Sequence, residues 1–398
     1  MTQPLRVAMI GHGFMGAAHS QGWRVAHRFF DLPLAPVMQT VVGRNADAAA
    51  AAATKWGWAE STTDWRSVIE RDDIDVIDIV TPGDSHAEIA IAALEAGKHV
   101  LCEKPLANTV AEAEAMADAA AQAAARGVYA MVGFTYRRVP AATFARNLIA
   151  EGRIGQVNQV RAAYRQDWLV DPSVPLMWRL RKELAGSGSL GDIGAHAIDM
   201  VQFMTGQRLT AVAGTLDTIV KERPLPAAAS TGEVASLGGA AGSGTGAVTV
   251  DDVALFLGRF ESGVLGTFEA TRFATGRKNG FTVEISGSEG AISFDLEDMN
   301  SLGVYDRTAR SDQQGFTKVF VTEAEHPYIK PWWPAGHMLG YEHGFSHQVV
   351  DFVNAIADGS QPTPSFADGL NIQRVLDAVE RSSANDSRWT SVNEGAQQ

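Results

Sequence analysis

LRVAMIGHGFMGAA, residues 5–18, joins a short apolar run to three glycines and then to a small-residue stretch. An apolar run ending at Ile10, followed at once by G-x-G-x-x-G, reads as a strand, a tight turn and the opening of a helix. Gly11 permits the turn, Gly13 lets backbone approach a pyrophosphate, and Gly16 lets helix and strand pack closely. The free N–H groups at the helix start would then face the phosphates. With Phe14 and Met15 between the last two glycines, this loop is expected to hold a dinucleotide. A signal-peptide core is the other reading of the run, but His12 and the glycines interrupt it.

The following segments alternate in the same way. Strand-like runs fall at 36–42, 74–81, 98–103 and 129–134, and helical runs at 46–56, 85–96 and 109–126. IDVIDIVT (74–81) is nearly continuous in apolar character, as in a parallel strand covered on both faces. Residues 1–135 are therefore expected to form a doubly wound parallel sheet of the Rossmann type. The pattern changes after Tyr136. Helices are expected at 139–151, 191–205, 342–357 and 368–384, and strands at 156–167, 209–219, 252–260, 263–273, 281–287 and 290–295. The fold class is α/β, with a C-terminal α+β domain (136–398) on a large, mostly antiparallel sheet. Residues 221–250, rich in Gly, Ala, Ser and Pro without periodicity, read as a flexible loop.

Composition narrows the partners. The formal charge is −13 over 398 residues, so an acidic surface repels nucleic-acid backbones. No apolar run reaches membrane-span length. A single cysteine, Cys102, rules out a disulfide within the chain and a Cys-rich metal site. A cytoplasmic location is expected, with no nucleic-acid or membrane partner.

The carboxyl ends of parallel strands are where ligands sit in such sheets. That places Thr81, Pro82 and His86 after the third strand, and Glu103 and Lys104 after the fourth, as candidate cofactor contacts. The second strand ends in Gly43-Arg44-Asn45, without an acid to hold the ribose hydroxyls; Asp31 lies before that strand. Arg44 would meet a 2′-phosphate or stack on adenine, so local chemistry leans to NADP or dual use. NAD is the cofactor expected overall, with NADP left open.

GDIGAHAID, residues 191–199, sets Asp192 and His196 four apart and His196 and Asp199 three apart, one face of a helix. Such a face binds a metal, moves a proton or forms a polar seam. A metal needs a third ligand and a supporting motif. Only His337, His343 and His347 offer themselves, and no metal is expected.

Taken together, GHGFMG, TPGDSHAEIAIAALEAGKHVLCEKPLA and GDIGAHAID resemble the Gfo/Idh/MocA oxidoreductases over nearly the whole chain. YRRVPA (136–141), YRQDWLVDPSVPLMWR (164–179), AGSGSLGDIGAHAIDM (185–200) and PSFADG (364–369) are similar to the sugar 3-dehydrogenases of that family. The resemblance implies an open second sheet used for oligomerisation, as a dimer or tetramer. It implies a small carbohydrate substrate and NAD(P)-dependent oxidation of a secondary hydroxyl, at C3 of a pyranose, a levoglucosan-like anhydrosugar or a glycoside. It carries Lys104, Asp192 and His196 over as catalytic. His196 would accept the hydroxyl proton, Lys104 would bond the same oxygen, and Asp192 would position both. Asp199 is expected to be structural. Sugars offer hydroxyls and apolar faces, so Tyr136, Arg138, Gln166, Trp168, Trp178, Arg179 and Tyr341 are candidate substrate contacts, with Asp192 and His196. An oxidative glycoside-cleaving enzyme, an inositol or polyol dehydrogenase and a non-enzymatic dinucleotide sensor are the alternatives.

Overall fold

The strand that opens the chain is β1, Gln3–Ile10, and it runs through the middle of a parallel sheet. In the computed structural model, residues 3–227 and 241–393 are described. The sheet order is β3-β2-β1-β4-β5-β6, with β2 Leu34–Val42, β3 Glu60–Thr62, β4 Val76–Ile79, β5 His99–Cys102 and β6 Ala130–Val132. This is the doubly wound order, with its reversal between β1 and β4. Strand β3 is a three-residue addition that no periodicity announces. All four residues of β4 are buried, and the polar one among them, Asp78, is fully so.

The second sheet has nine strands in the order β16-β15-β14-β13-β7-β12-β11-β8-β17. They are β7 Val157–Arg165, β8 Leu209–Asp217, β11 Val253–Phe260, β12 Leu265–Thr271, β13 Gly280–Gly287, β14 Gly290–Asp295, β15 Ser301–Asp306, β16 Phe316–Phe320 and β17 Thr390–Ser391. Among the described residues of this sheet, only β7 and β12 pair in parallel. Strand β11 alternates, with Ala254, Phe256 and Phe260 inward and Leu255 and Leu257 outward. Sequence reading missed β15 and β16. They lie at the sheet edge, and β16 is exposed almost throughout, so it carries no in–out alternation.

The loop expected over 221–250 is partly a correction. Glu222–Pro226 (β9) and Ala241–Ala247 (β10) pair as an antiparallel ribbon. Backbone pairing needs no apolar periodicity, so AGSGTGA could form a strand unannounced. The centre of the expected loop, 228–240, lies outside the described residues.

The last two helices return to the first sheet. His343–Asp358 packs along Phe14–Phe29, where a Cβ on Gly22 would come within 2.9 Å of the Phe345 carbonyl oxygen. Phe366–Ala384 lies between β8 and the helix Val110–Ala124. The segment leading to the first of them is pinned by aromatics, with Trp332 4.3 Å from Phe29.

Trp332 Nε1 donates to His347 Nε2 at 2.8 Å, and His347 Nδ1 meets the Arg138 carbonyl at 2.9 Å. One nitrogen accepts and the other donates, so the ring is neutral. Burial lowers His347 to about 3. The unfolded chain binds this proton below about pH 6.5 while the folded chain refuses it, so stability falls as pH drops. The slope contributed is up to about 1.4 kcal/mol per pH unit over that window. Thermal melting between about pH 7 and pH 5 should show a smaller drop in Tm for His347→Gln than for the parent chain. Equal drops would remove His347 from the acid response.

Candidate active site

The cradle after β1 has the shape its glycines demand. Gly11 has φ +108°, and a Cβ there would meet the Val80 carbonyl oxygen at 2.9 Å. A Cβ on Gly16 would press the Gly11 carbonyl at 3.0 Å, while one on Gly13 would meet nothing within 4 Å. No side chain caps the helix that begins at Phe14. Its first N–H groups carry no side-chain cap, and the space a Gly13 side chain would take is free, which fits a pyrophosphate. Met15 is half-buried, and Phe14 is 47% exposed, its ring 6.4 Å from that of Tyr341. Arg44 is exposed at the end of β2, and Asn45 caps the next helix through Ala48 N–H. Asp31 is exposed ahead of β2.

Lys104 follows β5, ahead of a cis peptide bond to Pro105. Its Nζ donates to the Asp192 carbonyl at 2.8 Å and lies 3.4 Å from Oδ1 of the same residue. The helix expected at 191–205 is not uniform. Leu190–Gly194 is a π-helical turn, and the α-helix runs Ala195–Thr205. Asp251 holds the turn from below: its carboxylate accepts from Gly188 N–H (2.7 Å), Leu190 N–H (2.8 Å) and the Ser189 hydroxyl (2.6 Å). Arg272, fully buried, donates to the Asp251 carbonyl at 3.1 Å and sets Nη1 3.5 Å from Asp192 Oδ2. Burial alone would raise Asp192, but Lys104, Arg272 and Arg179 bring it down to about 2.

His196 sits among rings, 4.5 Å from Tyr136, 5.9 Å from Phe134 and 6.0 Å from Tyr164. Burial, then the Lys104 ammonium, push its imidazole well below the ordinary value against the pull of Asp192. It is therefore unprotonated near neutral pH and able to take a proton. On the face read from GDIGAHAID, Asp199, expected to be structural, has partners different from those of Asp192. Asp192 belongs to Lys104 and Arg272. Asp199 accepts from Arg137 Nε at 2.8 and 3.0 Å, and that guanidinium covers Phe203.

Most candidate substrate contacts gather on this side of the second sheet. The Tyr136 and Tyr164 hydroxyls share a 2.8 Å hydrogen bond, and Tyr164 donates to Asn279 Oδ1 at 2.7 Å. Gln166 Nε2 donates to the same oxygen at 2.8 Å, and Trp168 Nε1 donates to Gln166 Oε1 at 2.9 Å. Arg179 lies over Trp178 at 4.4 Å and within electrostatic reach of Asp192. Tyr341 packs 6.3 Å from Tyr136 and 5.2 Å from Phe345.

Three residues stand elsewhere than expected. Arg138 is buried away from the group, donating to Asp351 (3.0 Å) and to the Thr363 carbonyl (2.6 Å). It bridges helix and loop because a guanidinium leaving the sheet end finds a carboxylate there. His86 is also buried, its ring nitrogens 2.9 Å from the Thr81 carbonyl and 3.1 Å from the Pro105 carbonyl. It ties two strand-end turns together instead of facing a cofactor; Thr81 and Pro82 stay partly open beside it. Glu103 turns inward, 3.0 Å from His19 Nε2. His337 is exposed, His343 bonds the Gly340 N–H, and His347 is committed as described. Among the described residues no cluster of His, Cys, Asp and Glu could hold a metal ion.

Arg272, Asp251, Tyr164, Asn279 and His19 went unread. Only the pairing partners, distant in sequence, reveal them. A Cβ on Gly188 would fall 1.7 Å from the Asp251 carbonyl oxygen, so Gly188→Ala must shift the clamp backbone. Overpacking of this kind costs about 1–3 kcal/mol. Tm should fall by several degrees, while Gly315→Ala, with nothing within 4 Å, leaves it unchanged. Equal melting of the two variants would sink the clamp.

Family models match both halves of the chain. Residues 5–134 match "Oxidoreductase family, NAD-binding Rossmann fold", and residues 143–293 match "GFO/IDH/MocA C-terminal domain". Levoglucosan dehydrogenase of Pseudarthrobacter phenanthrenivorans is 44% identical over 394 residues, covering 98% of each chain. A solved complex of levoglucosan dehydrogenase with NADH and levoglucosan superposes with a TM-score of 0.91 at 43% identity, over 98% of this chain and 100% of that one. An oxidoreductase domain protein from Kribbella flavida superposes at 0.93 with 60% identity, over 98% and 100%. The chain belongs to the GFO/IDH/MocA family of oxidoreductases, with an NAD-binding Rossmann half.

Proposed function

We propose that this enzyme oxidises the C3 hydroxyl of a pyranose, above all of an anhydrosugar such as levoglucosan or of a glycoside, to the 3-keto sugar. The observation that carries the reading is the convergence of Lys104 Nζ, Asp192 and an unprotonated His196, linked through the Tyr136 and Tyr341 rings to Phe14 of the glycine cradle. The substrate class follows the full-length likeness to levoglucosan dehydrogenase.

Gly11, Gly13, Phe14, Met15 and Gly16, with Thr81 and Pro82 at the next strand end, would hold NAD, which when bound would supply the hydride acceptor. The protein's own work concerns the hydroxyl. His196 accepts its proton. Lys104, aimed by the Asp192 carbonyl and carboxylate, donates a hydrogen bond to the same oxygen and steadies its developing negative charge. Asp192 stays ionised, so it balances the ammonium and never competes for the proton. Tyr136, Gln166, Trp168, Trp178, Arg179 and Tyr341 supply polar and flat surfaces for the ring.

The outer face of the second sheet exposes Leu255, Leu257 and Leu265, each at 43–45%, and the first two line a shallow groove with Thr215, Glu269 and Glu284. An apolar sheet face of this kind supports assembly of identical subunits through it. Light scattering should give a dimer or tetramer, and Leu255→Glu with Leu257→Glu should dissociate it; a monomeric parent would refute this. No described helix is long and apolar enough to cross a membrane, and the lone Cys102 is buried and free, which supports a cytoplasmic site of action.

With levoglucosan and NAD, net NADH should accumulate, and mass spectrometry should show a product two hydrogens lighter. Lys104→Ala and His196→Ala should each lower kcat by roughly 10²- to 10⁴-fold while NAD still binds. Turnover near that of the parent in both variants would refute these roles. Glycoside cleavage without net NADH would instead mark an oxidation that is reversed after elimination.

A further inference from the structure

Beneath the cleft lies a buried charged group that the reaction as described does not use. His19, one turn past Gly16 on the cradle helix, is 2% exposed. Its Nδ1 lies 2.9 and 3.0 Å from the two Asp78 carboxylate oxygens, and its Nε2 lies 3.0 Å from Glu103 Oε1. Trp23 Nε1 donates to Asp78 Oδ2 at 2.7 Å. Both ring nitrogens face carboxylate oxygens, so both must donate. An imidazolium does so, whereas a neutral ring would set a lone pair against one of the carboxylates. Burial opposes the charge, but Asp78 and then Glu103 overcome it and raise His19 to about 10.

The second Glu103 oxygen accepts the Lys104 backbone N–H at 3.2 Å. The Glu103 side chain cannot swing away easily, because Gly133 packs against it so closely that a Cβ there would fall 2.6 Å from Oε1. A continuous path of bonds therefore runs from Asp78 in β4 through His19 and Glu103 to the backbone of Lys104.

We propose that His19 is a positioning residue: through Glu103 it fixes the turn from which Lys104 reaches Asp192 and the substrate hydroxyl. The inference rests on the role proposed for Lys104. It also explains why a buried ion group is kept in a sheet that apolar residues would fill. Such groups add little net stability, yet they hold one geometry where alternatives are costly.

A double-mutant cycle tests it. Glutamine at position 19 cannot donate to two opposed carboxylates, and a misplaced turn costs roughly 10- to 100-fold in rate. His19→Gln should lower kcat by that factor, with the NAD dissociation constant, read by tryptophan fluorescence, within about 3-fold of the parent. In a Lys104→Ala background the same change should lower kcat by less than about 2-fold, because the group it positions is gone. An equal loss in both backgrounds, or a loss of NAD affinity matching the loss of kcat, would overturn the role of His19 while leaving that of Lys104 intact. Unimpaired turnover in Lys104→Ala alone would overturn both. Should His19→Gln fail to fold, the near-isosteric Glu103→Gln carries the same cycle with the same expected pattern.

Discussion

The contact between Lys104 and Asp192, residues 88 positions apart, is the constraint on which the candidate site depends. It joins the end of a parallel strand to a π-helical turn packed on the second sheet, and each partner brings a different kind of order. The lysine comes with a rigid strand end. The aspartate comes with a turn clamped by Asp251 and faced by Arg272. With side chains 14% and 26% exposed, the pair is partly desolvated, so its attraction is stronger than that of a surface ion pair. An ammonium aimed in this way meets an oxygen with no reorganisation at the moment charge develops there.

Three histidines show how far surroundings decide the behaviour of one side chain. His19, held between two carboxylates, is raised to about 10. His347, accepting from an indole and donating to a carbonyl, is lowered to about 3. His196, set among aromatic rings beside an ammonium, is also lowered, yet it stays partly exposed. The first suits a fixed charge, the second a core bridge, the third a base. The local GDIGAHAID stretch singles out His196, but no local signal tells what charge each ring carries.

The C-terminal helices add further ties to those around the site. His343–Asp358 grips the cradle helix through Gly22 and Phe345, and Phe366–Ala384 spans β8 and a helix of the first sheet. Val132 N–H also donates to the Pro364 carbonyl at 2.9 Å. These contacts keep Tyr341, on the segment leading into the first of these helices, near Phe14 of the cradle.

The alternating strands and helices of residues 5–134 were legible because each signal is local: an apolar run, a glycine with one allowed backbone, a cap. Gly11, Gly13 and Gly16 could be assigned for the same reason. So could the approximate place of Lys104, since parallel strands end at one edge. The short β3, the edge strands and the glycine-rich ribbon were not legible, because backbone pairing there needs no side-chain period. The inward turn of Glu103, the bridging role of Arg138 and the pairing of Asp199 with Arg137 depended on partners far along the chain. By itself the sequence determined the fold class and the glycine turn of the dinucleotide cradle, and it nominated residues for the chemistry. Only the tertiary structure decided which of them meet and in what protonation state, because charge, burial and hydrogen-bond partners are properties of neighbours in space.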